Sequence, residues 1–428
     1  MRPARRGASP PADGVGVAAE ADRITSAAIE EAARLLRGVV LETPCLPAPR
    51  LSALTGARVF VKYENLQPVG AFKERGAYVK LVSLDGEERA RGVVAMSAGN
   101  HAQAVAYHAA RLGISATIVM PERTPFVKVA ATEAHGARVV LAGETLAESA
   151  VACAELVERE GRVLIHPYDD PRIIAGQGTV GLEMLRQVPE LDVVVVPIGG
   201  GGLIAGTATA ARALKPDVRI IGVEAALYPS AYAALAGVEA TCGGATLAEG
   251  IAVKTPGRLT LPIIADLVER IVLVDEPALE RAVNAYVTLQ KTVAEGAGAA
   301  GLAAMLTEPE LFAGLNVGLV LCGGNIDPRI LASIMVRELA RSKRIVTIEA
   351  DFPDEPGVLA KLAGAIGTAG GNILEVTHHR LSLDHLARET TTRLTVETRD
   401  DRHTEAIFAA VEATGFRVRL TDHIDGRF

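Results

Sequence analysis

The sequence predicts an α/β protein made of two α/β modules, followed by a separate α+β module at the C-terminus. Short apolar runs alternate with alanine-rich segments of helical spacing, and this alternation indicates parallel strands covered on both faces. Several of the predicted helices stop at a glycine, the residue that most readily adopts the left-handed conformation at a helix end. After Lys343 the predicted order becomes βαββαβ, which indicates an independent unit.

Length and charge set the first limits. A chain of 428 residues exceeds what one hydrophobic core usually supports, so two or three folded units are expected. The formal net charge is -7 without a basic stripe, so neither nucleic acid nor an acidic membrane surface is an expected partner. No apolar run reaches the roughly 18 residues of a membrane helix. Residues 1–22 are predicted to be a disordered tail, with an arginine-rich transit peptide as the alternative.

The cysteines indicate a reducing compartment. The chain has four, and none forms a CxxC pair; they are Cys45, Cys153, Cys242 and Cys322. A chain of this size does not need disulfides for stability, so this pattern predicts a cytoplasmic protein. The same spacing argues against a cysteine-only zinc site.

The main region is predicted over residues 23–343, with a small module at about 60–160 and a large module from the remainder. The small module has strands at 92–96, 116–120, 138–141 and 163–166, and helices at 100–112, 125–135 and 144–160. The large module has strands at 192–196, 219–223 and 317–321, and helices at 202–214 and after Pro328. A helical pattern also begins near residue 24, but the sequence leaves the packing of residues 24–60 open.

The C-terminal module is predicted over residues 344–428. Its strands are expected at 344–350, 372–383, 390–397 and 416–420, and its helices at 357–369 and 404–413. The second and third strands have the pattern of a hairpin. This module contains none of the glycine-rich motifs of the main region.

The first motif is the run Gly199-Gly200-Gly201-Gly202, which could be a flexible linker. Its context favours a different interpretation, because the run follows four valines of a predicted strand and precedes a predicted helix. A glycine turn at that place exposes backbone N–H groups beside the positive end of the helix dipole. The run therefore predicts a phosphate-binding loop, although it matches neither GxGxxG nor GxxxxGK[ST].

The second motif surrounds Lys73, in the stretch Gly70-Ala71-Phe72-Lys73-Glu74-Arg75-Gly76-Ala77. A lysine flanked by an aromatic and small residues can be partly desolvated, which lowers its pKa and makes the amine a nucleophile towards aldehydes. An ordinary surface lysine is the alternative, since most lysines are exposed.

Two further motifs follow predicted strands. Ser97-Ala98-Gly99-Asn100-His101 opens a helix, so its N–H groups can hold an anion such as a carboxylate, or Asn100 can simply cap that helix. Cys322-Gly323-Gly324-Asn325 ends the last strand of the large module, and a tight turn behind a structural cysteine is the alternative there.

Taken together, residues 24–340 resemble the serine/threonine dehydratase family of pyridoxal-phosphate enzymes, which have the tryptophan-synthase-β-like fold (fold type II). The four motifs GAFKERGA, SAGNHAQ, VPIGGGGL and LCGGN occur in the family's order. The resemblance implies pyridoxal 5'-phosphate as the cofactor. It also implies an ammonia-lyase reaction that converts threonine to 2-oxobutanoate, and serine to pyruvate.

The resemblance also implies roles residue by residue. Lys73 matches the lysine that forms the Schiff base, and Phe72 matches the aromatic neighbour that packs against the cofactor. Asn100 matches the asparagine that bonds to the ring hydroxyl, and Cys322 stands beside the pyridine nitrogen. The phosphate loop is implied at Gly199, Gly200, Gly201, Gly202 and Leu203. The substrate carboxylate is implied to bind at Ser97, Ala98, Gly99, Asn100 and His101.

Several residues have less settled roles. Glu295 matches a pocket residue of the family without an assigned role, and Glu74 departs from the apolar or small residue usual after the lysine. Ala98 stands where racemases resembling this family have a serine, and alanine has no proton to give. Dehydration is therefore expected rather than racemisation. Some relatives bind a cation at the position of Glu224, but Ser230 replaces an acidic ligand, so no metal is expected.

The C-terminal module resembles an ACT domain, a module that usually pairs and binds amino acids. The resemblance implies an amino-acid effector near Asp354, Gly357, Asn372 and Ile373, and a homodimer or homotetramer. The histidines at 378, 379 and 385 are expected to be solvated hairpin residues. Three alternative hypotheses for the function of the chain remain: an NAD-dependent oxidoreductase, a non-catalytic amino-acid sensor, and a racemase or a lyase for another hydroxy amino acid such as serine or 3-hydroxyaspartate.

Overall fold

The computed structural model describes residues 24–379 and 389–421, so the predicted tail at 1–22 and the histidine at 385 lie outside the described residues. The chain divides into two compact units between Asn325 and Ile326. The sequence analysis placed this boundary after Lys343, one helix later. Within the described ranges, no helix is long and apolar enough to cross a membrane.

The N-terminal unit alternates strands and helices along most of its length. In chain order its elements are α1 (Ser26–Leu36), β1 (Cys45–Pro47), α2 (Pro49–Thr55), β2 (Arg58–Tyr63), α3 (Lys73–Val82), α4 (Gly86–Arg91), β3 (Val93–Met96), α5 (Asn100–Arg111), β4 (Ala116–Met120), α6 (Phe126–Glu133), β5 (Arg138–Leu141), α7 (Leu146–Glu160), β6 (Val163–Leu164), α8 (Pro171–Gln187), β7 (Val193–Pro197), α9 (Gly202–Leu214), β8 (Arg219–Ala225), α10 (Ser230–Ala236), α11 (Thr260–Leu267), β9 (Arg270–Val274), α12 (Glu276–Ala285), α13 (Gly296–Thr307) and β10 (Asn316–Leu321).

These strands form two sheets. The smaller sheet has the order β5-β4-β3-β6 and is parallel throughout, and the larger has the order β1-β2-β10-β7-β8-β9 and is parallel except for β1. The prediction of parallel strands alternating with helices is therefore confirmed, and these strands lie in two sheets. The expected start of the small module near residue 60 is wrong, because β2 pairs with β10 in the larger sheet.

Glycines end the helices of the small module as expected. Gly113, Gly136 and Gly161 have φ values of 68°, 85° and 63°. These values lie in the left-handed region, which glycine enters without the steric cost that other residues have. Each turn returns the chain to the next parallel strand.

Three helices approach one another closely through glycines. A side chain at Gly176 of α8 would place its Cβ 2.6 Å from the Cα of Gly76 in α3. A side chain at Gly206 of α9 would overlap the carbonyl of Ile174 in α8. Backbone therefore lies against backbone, and α8 joins α3 of one module to α9 of the other.

Residues 24–60 pack through the apolar face of α1, with Ile29, Ala32 and Leu36 in one core cluster, and through a buried charge cluster near Thr43. Arg75 of α3 donates to Glu64, at 2.8 Å, and to Glu183 of α8, at 2.6 Å. Lys62 of β2 donates to Glu183 and to the carbonyl of Thr43, both at 2.5 Å. Arg75, Glu64 and Lys62 have no solvent access. The segment before β1 is thus held against β2, α3 and α8 by buried charged groups that neutralise one another and by the hydrogen bond to the Thr43 carbonyl.

The second unit has the predicted βαββαβ order after an initial helix. Its elements are α14 (Pro328–Arg341), β11 (Ile345–Pro353), α15 (Val358–Thr368), β12 (Asn372–His379), β13 (Glu389–Glu397), α16 (Asp401–Glu412) and β14 (Arg417–Thr421). The strands are antiparallel neighbours in the order β12-β13-β11-β14. Their apolar faces and the two helices after β11 form one core that includes Ile348, Leu362, Leu394 and Ile407.

The residues expected to bind an effector fall into two groups. Asn372 and Ile373 begin β12 at the end of the sheet where β11 also begins, because both Asn372 and Ile345 pair with Glu397. Asp354 and Gly357 follow the last residue of β11, at the opposite end. A strand of nine residues separates the two groups by about 26 Å. The two groups therefore do not meet within one protomer.

Two glycines of α13 test how closely this helix packs against the turn at Gly323. Gly298→Ala should destabilise the protein by about 1–3 kcal/mol, because the new methyl group would overlap the Gly323 carbonyl. Gly301→Ala is the matched control in the same helix, since its Cβ would meet nothing closer than 3.5 Å. That change should be neutral or stabilise by up to about 1 kcal/mol. Urea unfolding of both variants provides the measurement, and equal effects would contradict the close contact.

Candidate active site

Lys73 is the first residue of α3, and its side chain is half-buried. Its Nζ donates to the Pro167 carbonyl at 2.8 Å and lies 5.2 Å from the centre of the Phe72 ring. Burial disfavours the ammonium form and lowers the pKa of Lys73 to about 8, although Cys322 and Glu295 act in the opposite direction. The amine therefore becomes a free nucleophile close to neutral pH.

The glycine loop follows β7 and begins α9. Gly201 has a φ of 93°, which a residue with a side chain would rarely adopt. A side chain at Gly200 would overlap the Tyr168 ring. Among the described residues, no hydrogen bond is donated by the backbone N–H groups of Gly199, Gly200 or Gly201. These groups lie at the positive end of a 13-residue helix, so the loop suits a phosphate.

The segment between β6 and α8 joins Lys73 to the glycine loop. Pro167 accepts the Lys73 hydrogen bond, and the next residue, Tyr168, covers Gly200 and donates to the Thr255 carbonyl at 3.1 Å. Asp169 then accepts hydrogen bonds from the backbone N–H groups of residues 258 and 259. Sequence reasoning missed this segment, because it has neither a glycine run nor a periodic pattern.

The loop after β3 places Asn100 at the start of α5. Its Nδ2 donates to Glu295 Oε1 at 2.8 Å, which brings the second motif of the small module against the large module. Within the loop, the Gly99 N–H donates to Ser97 Oγ at 3.2 Å. The Ser97 hydroxyl therefore keeps its own proton available for a ligand. Ala98 is half-buried and packs against the core of the small module.

His101 differs from the other residues of this loop. Its side chain is buried and its Nε2 lies 2.8 Å from the Ile165 carbonyl. Burial, aided by the charge of Lys73, lowers the pKa of His101 to about 3, so the ring stays neutral. Only the backbone N–H of His101 remains to serve an anion at the helix start, and its side chain belongs to the core.

The last motif forms a turn beside Phe72. The Phe72 N–H donates to the Cys322 carbonyl at 3.0 Å, and the Gly324 N–H donates to the Gly70 carbonyl at 2.9 Å. Cys322 is buried, and burial followed by the nearby Glu295 carboxylate raises the pKa of its thiol well above the usual value. Cys322 is therefore a neutral thiol.

Glu295 lies at the centre of these contacts, although no role could be assigned to it from the sequence. Its backbone N–H donates to the Gly323 carbonyl at 3.1 Å, and its side chain accepts from Asn100. Burial raises the pKa of Glu295 to about 7, while the Asn100 hydrogen bond acts in the opposite direction. Its carboxyl group can thus gain or lose a proton near neutral pH.

Glu74 directs its carboxyl group away from the residues assigned to the chemistry, towards Val69 and His108. It is fully buried, accepts from the Val69 N–H at 2.5 Å, and has Oε2 3.3 Å from Nε2 of His108. A buried carboxylate needs such partners to offset the cost of leaving water. The residue after the lysine is therefore held by the Val69 N–H and lies beside His108, without a hydrogen bond between Glu74 Oε2 and the His108 ring in the described structure.

Glu224 lies at the end of β8 and caps the following helix. Its carboxylate accepts from the N–H groups of Ala231 and Tyr232 at 2.8 Å and from the Ser230 hydroxyl at 3.4 Å. Burial raises the pKa of Glu224 to about 7. Across residues 24–379 and 389–421, no group of three or more metal-binding side chains was found.

Comparison with known proteins gives consistent matches. A family described as pyridoxal-phosphate dependent enzymes matches residues 36–323. The L-threonine ammonia-lyase of Thermotoga maritima is 43% identical over 93% of this chain and 99% of its own. The catabolic L-threonine dehydratase of Escherichia coli is 43% identical over 70% of this chain and 92% of its own. The structure of maize serine racemase matches with a TM-score of 0.68 and 36% identity, covering 74% of this chain and 98% of that one.

The lowered pKa of Lys73 predicts when its amine reacts. Reductive methylation with formaldehyde should label Lys73 half-maximally near pH 8 instead of near 10.5, because the neutral amine predominates above its pKa. Mass spectrometry of the peptide containing Lys73 measures the labelling between pH 6 and pH 10. Exposed Lys291 serves as the comparison. Identical pH profiles for the two lysines would contradict the effect of burial.

Proposed function

The chain belongs to the family of pyridoxal-phosphate dependent enzymes, and we propose that it removes ammonia from L-threonine to give 2-oxobutanoate. The 43% identity to an L-threonine ammonia-lyase, which spans nearly the whole of both chains, carries this proposal. L-Serine is a second expected substrate, giving pyruvate, because one methyl group in a pocket is worth only about 1–3 kcal/mol.

The residues present fit pyridoxal phosphate. The N–H groups of Gly199–Gly201, which have no acceptor within the described part of the chain, suit its phosphate. The depressed pKa of Lys73 suits an amine that captures its aldehyde. Asn100 would donate to the ring hydroxyl, and the neutral thiol of Cys322 would lie beside the ring nitrogen. These assignments extend to Phe72 against the ring and to Gly202 and Leu203 at the start of α9.

When bound, pyridoxal phosphate acidifies the Cα–H of the amino acid attached to it. The Lys73 amine, whose pKa is lowered to about 8, would take this proton in its neutral form. The Ser97 hydroxyl and the N–H groups at the start of α5 would hold the substrate carboxylate during this transfer. The Pro167 carbonyl, which accepts from Lys73 Nζ at 2.8 Å, would help to position the amine.

Cys322 favours elimination over amino-group transfer. Its thiol stays neutral, so it does not hold a proton on the ring nitrogen as a carboxylate would. A ring bound beside this thiol would be less electron-withdrawing than one held by a carboxylate. Loss of the β-hydroxyl after proton removal is the outcome that such a site favours.

Racemisation is the second candidate, because the fold also matches serine racemase. Inversion at Cα requires an acid or base on each face of the substrate. Lys73 can serve one face, but Ala98 has no exchangeable proton for the other. The relatives named for threonine deamination support the lyase, and Ala98 supports the same choice.

We propose that the second unit is a regulatory ACT domain. Its βαββαβ order supports this assignment, and the E. coli enzyme matches only 70% of this chain while being covered almost completely. Asn372 borders a pocket of about 320 Å³ with Arg344 and Arg399, whose guanidinium groups suit the carboxylate of an amino acid.

Because Asp354 and Gly357 lie at the other end of the sheet, an effector site that includes both groups of residues needs two copies of the chain. A homo-oligomer follows from this proposal.

The compartment is also a proposal. The four cysteines are free in the structure, which supports a reducing cytoplasm.

Lys73→Ala should lower the rate of threonine deamination by at least about 10³-fold, because one amine both holds the cofactor and moves the proton. A 2-oxo acid assay measures the rate. Lys80→Ala is the control, since Lys80 lies on the same helix as Lys73 and forms only a partly exposed ion pair with Asp170, the residue before α8. Lys62 is a poor control because it lies in the buried charge cluster. Normal turnover by Lys73→Ala would refute the proposal.

Ala98→Ser tests the account of the second face. The new hydroxyl should open a route to the D-amino acid. The rate of racemisation, undetectable in the unaltered enzyme, should become measurable but stay at least about 100-fold below the rate of deamination, because the hydroxyl also needs positioning. Chiral chromatography of the product from L-serine measures this. Substantial racemisation by the unaltered enzyme would contradict the account.

The regulatory proposal predicts a difference between the full chain and a chain ending at Ser342. Both should deaminate threonine, but only the full chain should respond to isoleucine or another amino acid, with a change of about 5–150-fold in apparent affinity. Deamination kinetics with a panel of amino acids provide the test. A full chain that ignores all of them, or a shortened chain that responds identically, would overturn the proposal.

A further inference from the structure

We infer that Asn325 is a positioning residue that fixes which end of the Asn100 amide faces the cofactor. The inference rests on the proposed function, because it takes pyridoxal phosphate to bind in front of Asn100. Asn325 ends the turn that begins at Cys322, and the chemistry proposed above does not use it.

Two side-chain amides form a chain with a fixed direction. Asn325 Nδ2 donates to the Val69 carbonyl at 2.7 Å and to Asn100 Oδ1 at 2.8 Å. Asn100 Nδ2 in turn donates to Glu295 Oε1 at 2.8 Å. Each amide has one accepting oxygen and one donating nitrogen, so the orientation of the first determines the orientation of the second.

The direction of this chain is set by a group that cannot turn over. The Val69 carbonyl only accepts, so the nitrogen end of Asn325 must face it. The turn that carries this carbonyl is itself held, because the Val69 N–H donates to buried Glu74 and the Gly70 N–H donates to the Gln67 carbonyl. A side chain at Gly70 would place its Cβ 2.6 Å from Asn325 Oδ1, so Asn325 packs directly on the turn.

Glu295 cannot replace Asn325 in this role. Its pKa lies near 7, so the carboxyl group carries a proton for part of the time at neutral pH. A protonated carboxyl can donate as well as accept, and it then no longer selects one end of the Asn100 amide. Asn325 does not titrate and holds Asn100 Oδ1 at every pH at which the protein is folded.

The fixed orientation of Asn100 would present a hydrogen-bond donor to the ring oxygen of the cofactor. With Oδ1 engaged by Asn325 and one N–H engaged by Glu295, Asn100 has its second N–H left for a ligand. An N–H stabilises an anionic ring oxygen, whereas a turned amide would present its carbonyl oxygen and repel it. Asn325 therefore acts through Asn100 and need not touch the cofactor.

Asn325→Asp tests this inference with little change in shape. A carboxylate only accepts, so it should attract Asn100 Nδ2 and turn that amide over. The ring oxygen then loses a donor and holds more tightly the proton that it shares with the Lys73 nitrogen. We expect the pH midpoint of the visible absorption band of the holoenzyme to rise by about one unit. The dissociation constant for pyridoxal phosphate should rise about tenfold.

Two comparisons separate positioning from simple structural support. Asn65→Asp is the matched control, because Asn65 donates to Thr292 and Val293 beside the same turn without contacting Asn100. It should leave the midpoint unchanged. In an Asn100→Ala background, Asn325→Asp should have no further effect on the midpoint. A midpoint unchanged in Asn325→Asp, or a shift that persists without Asn100, would overturn the inference.

The failures of the two proposals can be distinguished. If the unaltered protein with pyridoxal phosphate shows no visible band, the proposed function itself fails. If that band is normal and Asn325→Asp leaves it unchanged, only the inference about Asn325 fails. Should the aspartate variant not fold, Asn325→Ala removes the same donor without adding a charge. It should raise the dissociation constant about fivefold, and wild-type affinity would overturn the inference.

Discussion

Arg75 lies two residues after Lys73 in α3, and its guanidinium group has no contact with solvent. It is neutralised by Glu64 and Glu183, and Glu183 also pairs with buried Lys62. Charges removed from water in this way are tolerated only while every partner stays in place, and loss of one partner typically costs about 3–5 kcal/mol. Helix α3 therefore cannot shift against β2 and α8. The position of Lys73 depends on this constraint.

The same constraint determines the chemistry of the site. Because α3 begins where the turn at Cys322 meets Phe72, the Lys73 side chain is half-buried and its amine loses part of its affinity for a proton. Tyr168 and Pro167 connect that amine to the glycine loop, and Asn100 connects the small module to Glu295. A nucleophile, an anion site and a neutral thiol thus converge from segments that are far apart in the chain.

Sequence reasoning succeeded where one short segment carries its own signal. Glycines after strands, such as Gly201, and glycines after helices, such as Gly113, determine local backbone shape and could be read directly. It failed for contacts between distant segments. The pairing of β2 with β10 joins residues more than 250 positions apart, and no local sequence pattern predicts such a pairing. The core position of the His101 side chain and the use of Asn325 likewise depend on neighbours that only the folded chain supplies.

The central claim is that the amine of Lys73 holds the cofactor and does the proton transfer. Borohydride reduction of the holoenzyme, followed by peptide mass spectrometry, tests it most directly because reduction makes the link to lysine permanent. The account predicts a phosphopyridoxyl group on Lys73 alone, since this amine is nucleophilic near neutral pH and lies within the site. A label on another lysine, or a label absent from every lysine, would contradict it.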